Sequence, residues 1–208
     1  RLCRDWSSDV CSSDLKLEVD DDVDDYAHDH DESDPHIWLD PLKAIVMVEN
    51  IAKALAELDP DYAVTYFERA RLYAEALHQL HEEIATALEP LANRTILYAG
   101  HFAFGHFARR YHLAHLSPYA GFAPDAEPTP QRIAELIERV RESGTRTIFY
   151  AELVEPRVAR VISEQTGAEM VLLHGVHNVS RDELASGATY LELMRRNLES
   201  LLRGLRAA

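Results

Sequence analysis

TILYAGHFAFGHFARRY, residues 95–111, is the stretch on which the reading of this chain turns. Its first five residues, Thr95–Ala99, are β-branched and apolar and read as a buried strand, whereas Phe102–Tyr111 has the spacing of a helix. The change of period falls on Gly100-His101. The same alternation continues downstream: a short extended piece near Leu113–Tyr119, a helix in EPTPQRIAELIERVRESG, a strand in RTIFYA (146–151), a helix over Pro156–Thr166, a strand in EMVLL (169–173) and a last helix from about Gly187 to Leu205. The EPTP helix is clearly punctuated, with Thr129 as N-cap, Pro130 at its first position, Ile133, Leu136, Ile137 and Val140 facing inward, and Gly144 as stop. The last helix turns Tyr190, Met194, Leu198, Leu201 and Leu205 inward. Strands alternating with helices build an α/β fold in which a parallel sheet is covered on both faces.

Upstream of Pro90 the pattern is helical. Pro41 opens a helix with Ala44, Val48, Ile51, Leu55 and Leu58 as its apolar stripe, and Asp59-Pro60 interrupts it. A longer pattern follows through Tyr66, Ala70, Tyr73, Leu77, Leu80, Ile84 and Ala87. About 29 residues at helical rise give roughly 43 Å, longer than a small lobe is wide. One stripe without a repeated charge code favours a strut over a coiled coil.

Of the 208 residues, 47 % are hydrophobic, yet no run of 18 apolar residues occurs to span a membrane as a helix. The formal charge of −15 excludes a nucleic-acid partner, which needs a basic face. That charge is concentrated: residues 1–40 hold 14 acids against 3 bases, and residues 41–208 hold 22 against 18. EVDDDVDDYAHDHDESD (18–34) carries ten acids, two histidines and no base, and reads as a solvated loop in which His28 and His30 either collect metal loosely or only add solubility. Residues 1–15, RLCRDWSSDVCSSDL, have no structural period and no signal-peptide pattern, and we read them as a non-native leader. They hold both cysteines, Cys3 and Cys11, so the remainder offers no thiolate to a metal.

Ligands of an open parallel sheet bind outside the carboxyl ends of its strands. Reading the residue that follows each strand gives Gly100-His101, then Glu152, then His174 with His177 three positions on. Any one is weak; their agreement on one rim is the signal. His36, in ESDPHIWLDP (32–41), is a further candidate, an imidazole between a proline and the apolar run Ile37-Trp38-Leu39. The remaining histidines take the plainer reading. His78 and His81 fall on polar positions of the long helix, His106 lies roughly 140° around a helix from His101, and His112 and His115 flank a short strand as surface residues. Tyr119, Gly121 and Phe122 line a cleft wall or a core, and Glu127 precedes a helix start as a dipole partner.

DPHIWLDP, HFAFGHFARRY, GFAPDAEPTP, IFYAELVEP and YLELMRRNL, in this order from about Asp20 to Leu205, resemble the zinc/manganese solute-binding proteins of bacterial ABC importers, the ZnuA/TroA-like family. The resemblance implies two parallel-sheet lobes joined by a long rigid helix, with one metal in the cleft between them and an acidic histidine loop before the first motif. On this chain that gives a remnant of the N-terminal lobe at 16–59 containing the loop 18–34, a linking helix at 60–90 and a C-terminal α/β lobe at 91–208. His36 and His101 match family ligands; manganese members tend to carry glutamate at the second. The family's last ligand, usually an aspartate after the last strand, is replaced here by LLHGVHNVS, in which His174 fits by strand position and His177 by distance from the last helix. Glu152 takes a supporting position, and Trp38 and Phe102 wall the cleft. A further histidine of the family lies upstream of the acidic loop, and nothing here matches it, so the N-terminal lobe is expected to be incomplete.

Several histidines without a thiolate make a borderline-soft site that favours Zn2+, with Mn2+ as the alternative; copper or nickel would also bind in isolation. The implied role is a monomeric, periplasmic or membrane-anchored extracellular carrier delivering the ion to the permease of an ABC importer, and no enzyme. Two rivals stand beside it: a zinc hydrolase with Glu152 as base, for which HExxH is absent, and a helical interaction module, which leaves the strand-end histidines unexplained.

Overall fold

Two strand pairs, each parallel, are stitched into one sheet. In the computed structural model, which describes residues 34–119, 128–143, 145–153 and 155–206, β1 (Thr95–Leu97) pairs with β2 (Ala114–Leu116) and β3 (Thr147–Tyr150) with β4 (Glu169–Leu172). A parallel bridge between Tyr98 and Phe149, with Ala99 N–H donating to Phe149 O at 2.8 Å, joins β1 to β3. The spatial order is β2-β1-β3-β4. The chain winds outward in one direction from β1 and in the other from β3, so the loops after these two central strands diverge. That is the switch point at which open α/β sheets hold ligands.

Alternation along the strands explains the two covered faces. Ile96, Tyr98, Phe149, Val171 and Leu173 pack with Leu80, Ile84 and Leu88 of helix α2 (Ala63–Leu88), Phe107 of α3 (Gly105–Arg110) and Met194, Leu201 and Leu205 of α7 (Tyr190–Arg206). Leu97, Ala99 and Ile148 face Leu136 and Val140 of α4 (Pro130–Ser143) and Ala159 and Ile162 of α5 (Arg157–Thr166). The expected inward residues of α4 and α7 all belong to these two clusters. A short α6 (Arg181–Ala185) was not expected; its start is the capping box Ser180–Glu183, legible in sequence as S-x-x-E.

Helix α1 (Pro41–Leu58) starts as expected, with Asp40 as cap accepting Leu42 N–H at 3.0 Å and Pro41 at its first turn. Its apolar stripe is buried only near that end. Ala44 and Ile45 pack on Leu77 of α2, but Ile51 is 57 % and Leu58 83 % exposed. The pairing of α1 with α2 is the reason: the hairpin closes through the 3-10 turn Pro60–Tyr62, and among the described residues no third element covers its far end. The described part therefore holds one sheet. The turn bearing His36 does not stand apart from it, because Asp40 receives Arg110 Nε of α3 on both carboxylate oxygens at 3.2 and 3.0 Å.

The expected helix Phe102–Tyr111 is shorter than its pattern, beginning only at Gly105; His101–Phe104 form an irregular loop. All described residues belong to one compact unit, Glu32–Ala208. The leader, Cys3, Cys11, His28, His30, Gly121, Phe122, Glu127 and Gly144 lie outside the described residues. Among the described residues no helix is long and apolar enough to cross a membrane.

Candidate metal centre

Three segments meet at the carboxyl end of the sheet: the turn before α1, the loop after β1 and the loop after β4. A single 3-10 turn, Ile37–Leu39, holds the first, with Leu39 fully buried beneath it. Trp38 Nε1–H donates to Gly175 O at 2.9 Å and Tyr190 Oη–H to Trp38 O at 2.7 Å, so this turn is tied to both the β4 loop and α7. The indole then lies between two imidazoles, with ring centroids 5.3 Å from His36 and 6.3 Å from His177. Trp38 thus lies beside both His36 and His177. Phe102, by contrast, turns to the core, edge-on to Tyr98, and stacks on His115 at 3.8 Å. His115 is therefore on β2 itself, not flanking it.

His36 and His101 point their Nε2 atoms at each other, 3.4 Å apart. A tetrahedral ion with nitrogens about 2.0–2.1 Å away holds any two of them roughly 3.3–3.4 Å from one another. The pair is thus spaced as two corners of such a site. Burial pushes the His101 imidazole below its ordinary pKa, helped by His36 and His177 and opposed by Asp34. Its neutral form, the one that coordinates metal, is favoured.

The β4 loop separates its two histidines. His174 is buried: its Nδ1 accepts Val176 N–H at 2.9 Å, and its Nε2, 3.6 Å from Glu183 Oε1, has no hydrogen-bond partner among the described residues. Its backbone is clamped on both sides by Asn197, which accepts His174 N–H and donates to His174 O, each at 2.7 Å. His177 is half exposed against Trp38, with Nδ1 3.7 Å from Glu152 Oε1. Glu152 is itself buried; Oε2 accepts Gly175 N–H at 2.8 Å and Oε1 has no hydrogen-bond partner among the described residues. A Cβ on Gly175 would stand 2.7 Å from His177 Nδ1, which explains the glycine there. Two non-glycine residues adopt the left-handed region beside these groups, Leu153 (φ 58°) after Glu152 and Val176 (φ 57°) before His177. For β-branched Val176 that is a strained conformation of the kind found around functional loops. Among the described residues no three ligating side chains stand in ready-made metal geometry; the imidazoles of His36 and His101 converge.

Sequence reading missed Asp34. Its side chain is buried, and Oδ1 receives both the His36 backbone N–H at 3.0 Å and His36 Nδ1 at 2.6 Å. Burial alone would raise its carboxyl, but the His36 contacts outweigh burial and leave it below the usual carboxylate value. The signal was there, a carboxylate two residues before an imidazole, but it was hidden in the acidic run. His106 is buried on α3 and bonds away from the pair, with Nε2–H donating to Asp34 O at 3.1 Å and Nδ1 receiving Lys43 Nζ at 2.8 Å. His78 and His81 stay on α2, where His81 meets the Tyr111 hydroxyl at 3.1 Å.

Over residues 5–204 the sequence matches the family described as zinc-uptake complex component A, periplasmic (ZnuA). It is 33 % identical over 168 residues to the zinc-binding protein AdcA of Streptococcus pyogenes, covering 81 % of this chain and 32 % of that protein. Among solved structures, a mutant of the laminin-binding adhesin Lmb of Streptococcus agalactiae aligns with a TM-score of 0.77 at 33 % identity, over 94 % of this chain and 69 % of that one. The Zn(II)-bound ZnuA-like domain of Streptococcus pneumoniae AdcA aligns with 0.70 at 30 % identity, over 83 % and 64 %. The chain thus spans about a third of the length of the AdcA it matches.

Proposed function

The chain belongs to the ZnuA family of periplasmic zinc-uptake components, and from that premise we propose that it captures Zn2+ outside the cytoplasm and hands it, as a monomer, to the permease of an ABC importer. The observation that carries this reading is the 3.4 Å approach of His36 Nε2 and His101 Nε2, the edge length of a tetrahedral zinc site. His177 is the third ligand, since its ring shares Trp38 with His36, whereas His174 Nδ1 already accepts Val176 N–H. Glu152 supports His177 from behind. Imidazole nitrogens suit zinc better than manganese, which prefers carboxylate and water. The family is one of zinc-uptake components rather than enzymes, which sets a zinc hydrolase aside.

Capture needs neutral imidazoles and a partly open entrance, and the half-exposed His177 lies at that entrance. The test is an equilibrium titration of the chelator-stripped chain with zinc and with manganese, beside His101→Ala. One zinc site that is tighter than for manganese and lost in the variant is the expected result. Equal affinity for both ions, or an unchanged variant, overturns it.

A further inference from the structure

We propose that Asp34 is a positioning residue of this centre: its buried carboxylate fixes His36 with the proton on Nδ1 and the Nε2 lone pair turned toward His101. The proposal rests on reading His36 as a zinc ligand and adds a residue that does not itself touch the ion.

A carboxylate can only accept, so the 2.6 Å contact between Asp34 Oδ1 and His36 Nδ1 makes Nδ1 the donor. The neutral ring then has its lone pair on Nε2, the atom 3.4 Å from His101 Nε2. One oxygen also takes the His36 backbone N–H at 3.0 Å, which sets the ring and main chain of His36 from the same point. The side chains are 12 % and 2 % exposed, so water competes little for this contact.

The surroundings are built around that carboxylate. Its second oxygen, Oδ2, is buried with no hydrogen-bond partner among the described residues, an arrangement that folded chains rarely keep. It fills the space that a side chain on Gly105 would need: a Cβ there would come within 2.4 Å of Oδ2. Alanine is otherwise the better helix former at that first position of α3. His106, the next residue, anchors the Asp34 carbonyl and is itself held by Lys43 of α1. Gly105 of α3 thus leaves room for one acidic side chain whose hydrogen-bonding partner is His36, while His106 and Lys43 of α1 hold its main chain. A carboxylate behind a metal-bound imidazole fixes its tautomer and raises its basicity, and its loss typically weakens metal binding by about 10–100-fold.

Two readouts on the full chain test this. The first is the tautomer of His36 in the metal-free protein, from long-range proton–nitrogen NMR spectra. The second is zinc affinity by competition with a chromophoric chelator. The wild type is expected to show His36 protonated on Nδ1. Asp34→Asn keeps the size and removes the charge, and Gly105→Ala keeps the charge and displaces the carboxylate. Both are expected to disturb that tautomer and to weaken zinc about 10–100-fold, with a native circular dichroism spectrum. An unchanged tautomer and unchanged affinity in both variants overturn the positioning role. His36→Ala separates the two layers of argument. If it abolishes binding while Asp34→Asn is silent, the Asp34 proposal alone falls; if it is itself silent, the reading of the centre falls first.

Discussion

The His36 turn and the His177 loop face each other across Trp38 and are built in opposite ways. His36 is 12 % exposed, locked through Nδ1 at 2.6 Å, on a turn whose flanking groups bond to α3, α7 and the β4 loop. His177 is 49 % exposed, its carboxylate neighbour still 3.7 Å away, on a loop that stores strain at Val176. On the proposed reading, the ligand on one side of the centre is held by these bonds and the one on the other is exposed. If the chain captures an ion there as proposed, the held side lowers the ordering cost of binding.

The contrast makes its strongest statement in zinc affinity. His36→Ala removes a preset ligand and leaves Asp34 a buried anion without its partner, so its loss should exceed about 100-fold, beyond the range of supporting residues. His177→Ala exposes a corner that water can occupy, and a loss of about tenfold is expected. A competition titration of the two variants decides it. Equal losses would mean that both sides are preorganised, and a larger loss at His177 would reverse the comparison.

A smaller effect sharpens it. Trp38→Phe keeps a ring between the imidazoles and deletes the indole N–H that holds Gly175 O at 2.9 Å. Losing that bond should lower stability by about 0.5–1.5 kcal/mol, read from the urea midpoint at unchanged slope. The loosening should be one-sided, with faster amide exchange at Val176 and His177 and none at Ile37. Faster exchange at Ile37 instead would show that the His36 turn depends on the tie and the β4 loop does not.

How much of this could be read from residues differs between the two sides as well. The alternation of strands and helices put His101 after β1 and Glu152 after β3, because a strand's carboxyl end is a topological fact that period alone reveals. Sequence leaves His174 and His177 as alternatives. Both follow the same strand, and what divides them is Val176 N–H donating into His174 Nδ1 and Asn197 reaching back 23 positions to pin it. Asp34 escaped because ten acids within residues 18–34 give no sign of which one is buried. The exposed stripe of α1 shows the converse limit: Ile51 and Leu58 have helical spacing, but periodicity does not say what covers it.

The β4 loop ends at the capping box of α6, where Ser180 N–H and Oγ–H donate to Glu183 Oε2 at 2.8 and 2.7 Å and Glu183 N–H returns to Ser180 Oγ at 3.2 Å. Backbone and side-chain bonds from Ser180 hold the Glu183 carboxyl below its ordinary value, with a smaller contribution from His174. A carboxylate with a depressed folded pKa adds stability above its unfolded value and loses it as pH falls through the folded one. The box should therefore persist at pH 5, weaken from about pH 4.5 downward, and release α6 only below that. Carbon-13 titration of Glu183, with amide exchange at Leu184, reads both events. Ser180→Ala should remove about 1 kcal/mol of cap at any pH above that window and shift the Glu183 titration back up. If the variant also moves His177 enough to change zinc affinity, the mobility of that loop is limited by its cap. If affinity is unchanged, the freedom of His177 resides in Gly175–Val176 alone, and the contrast with His36 is a property of those two residues.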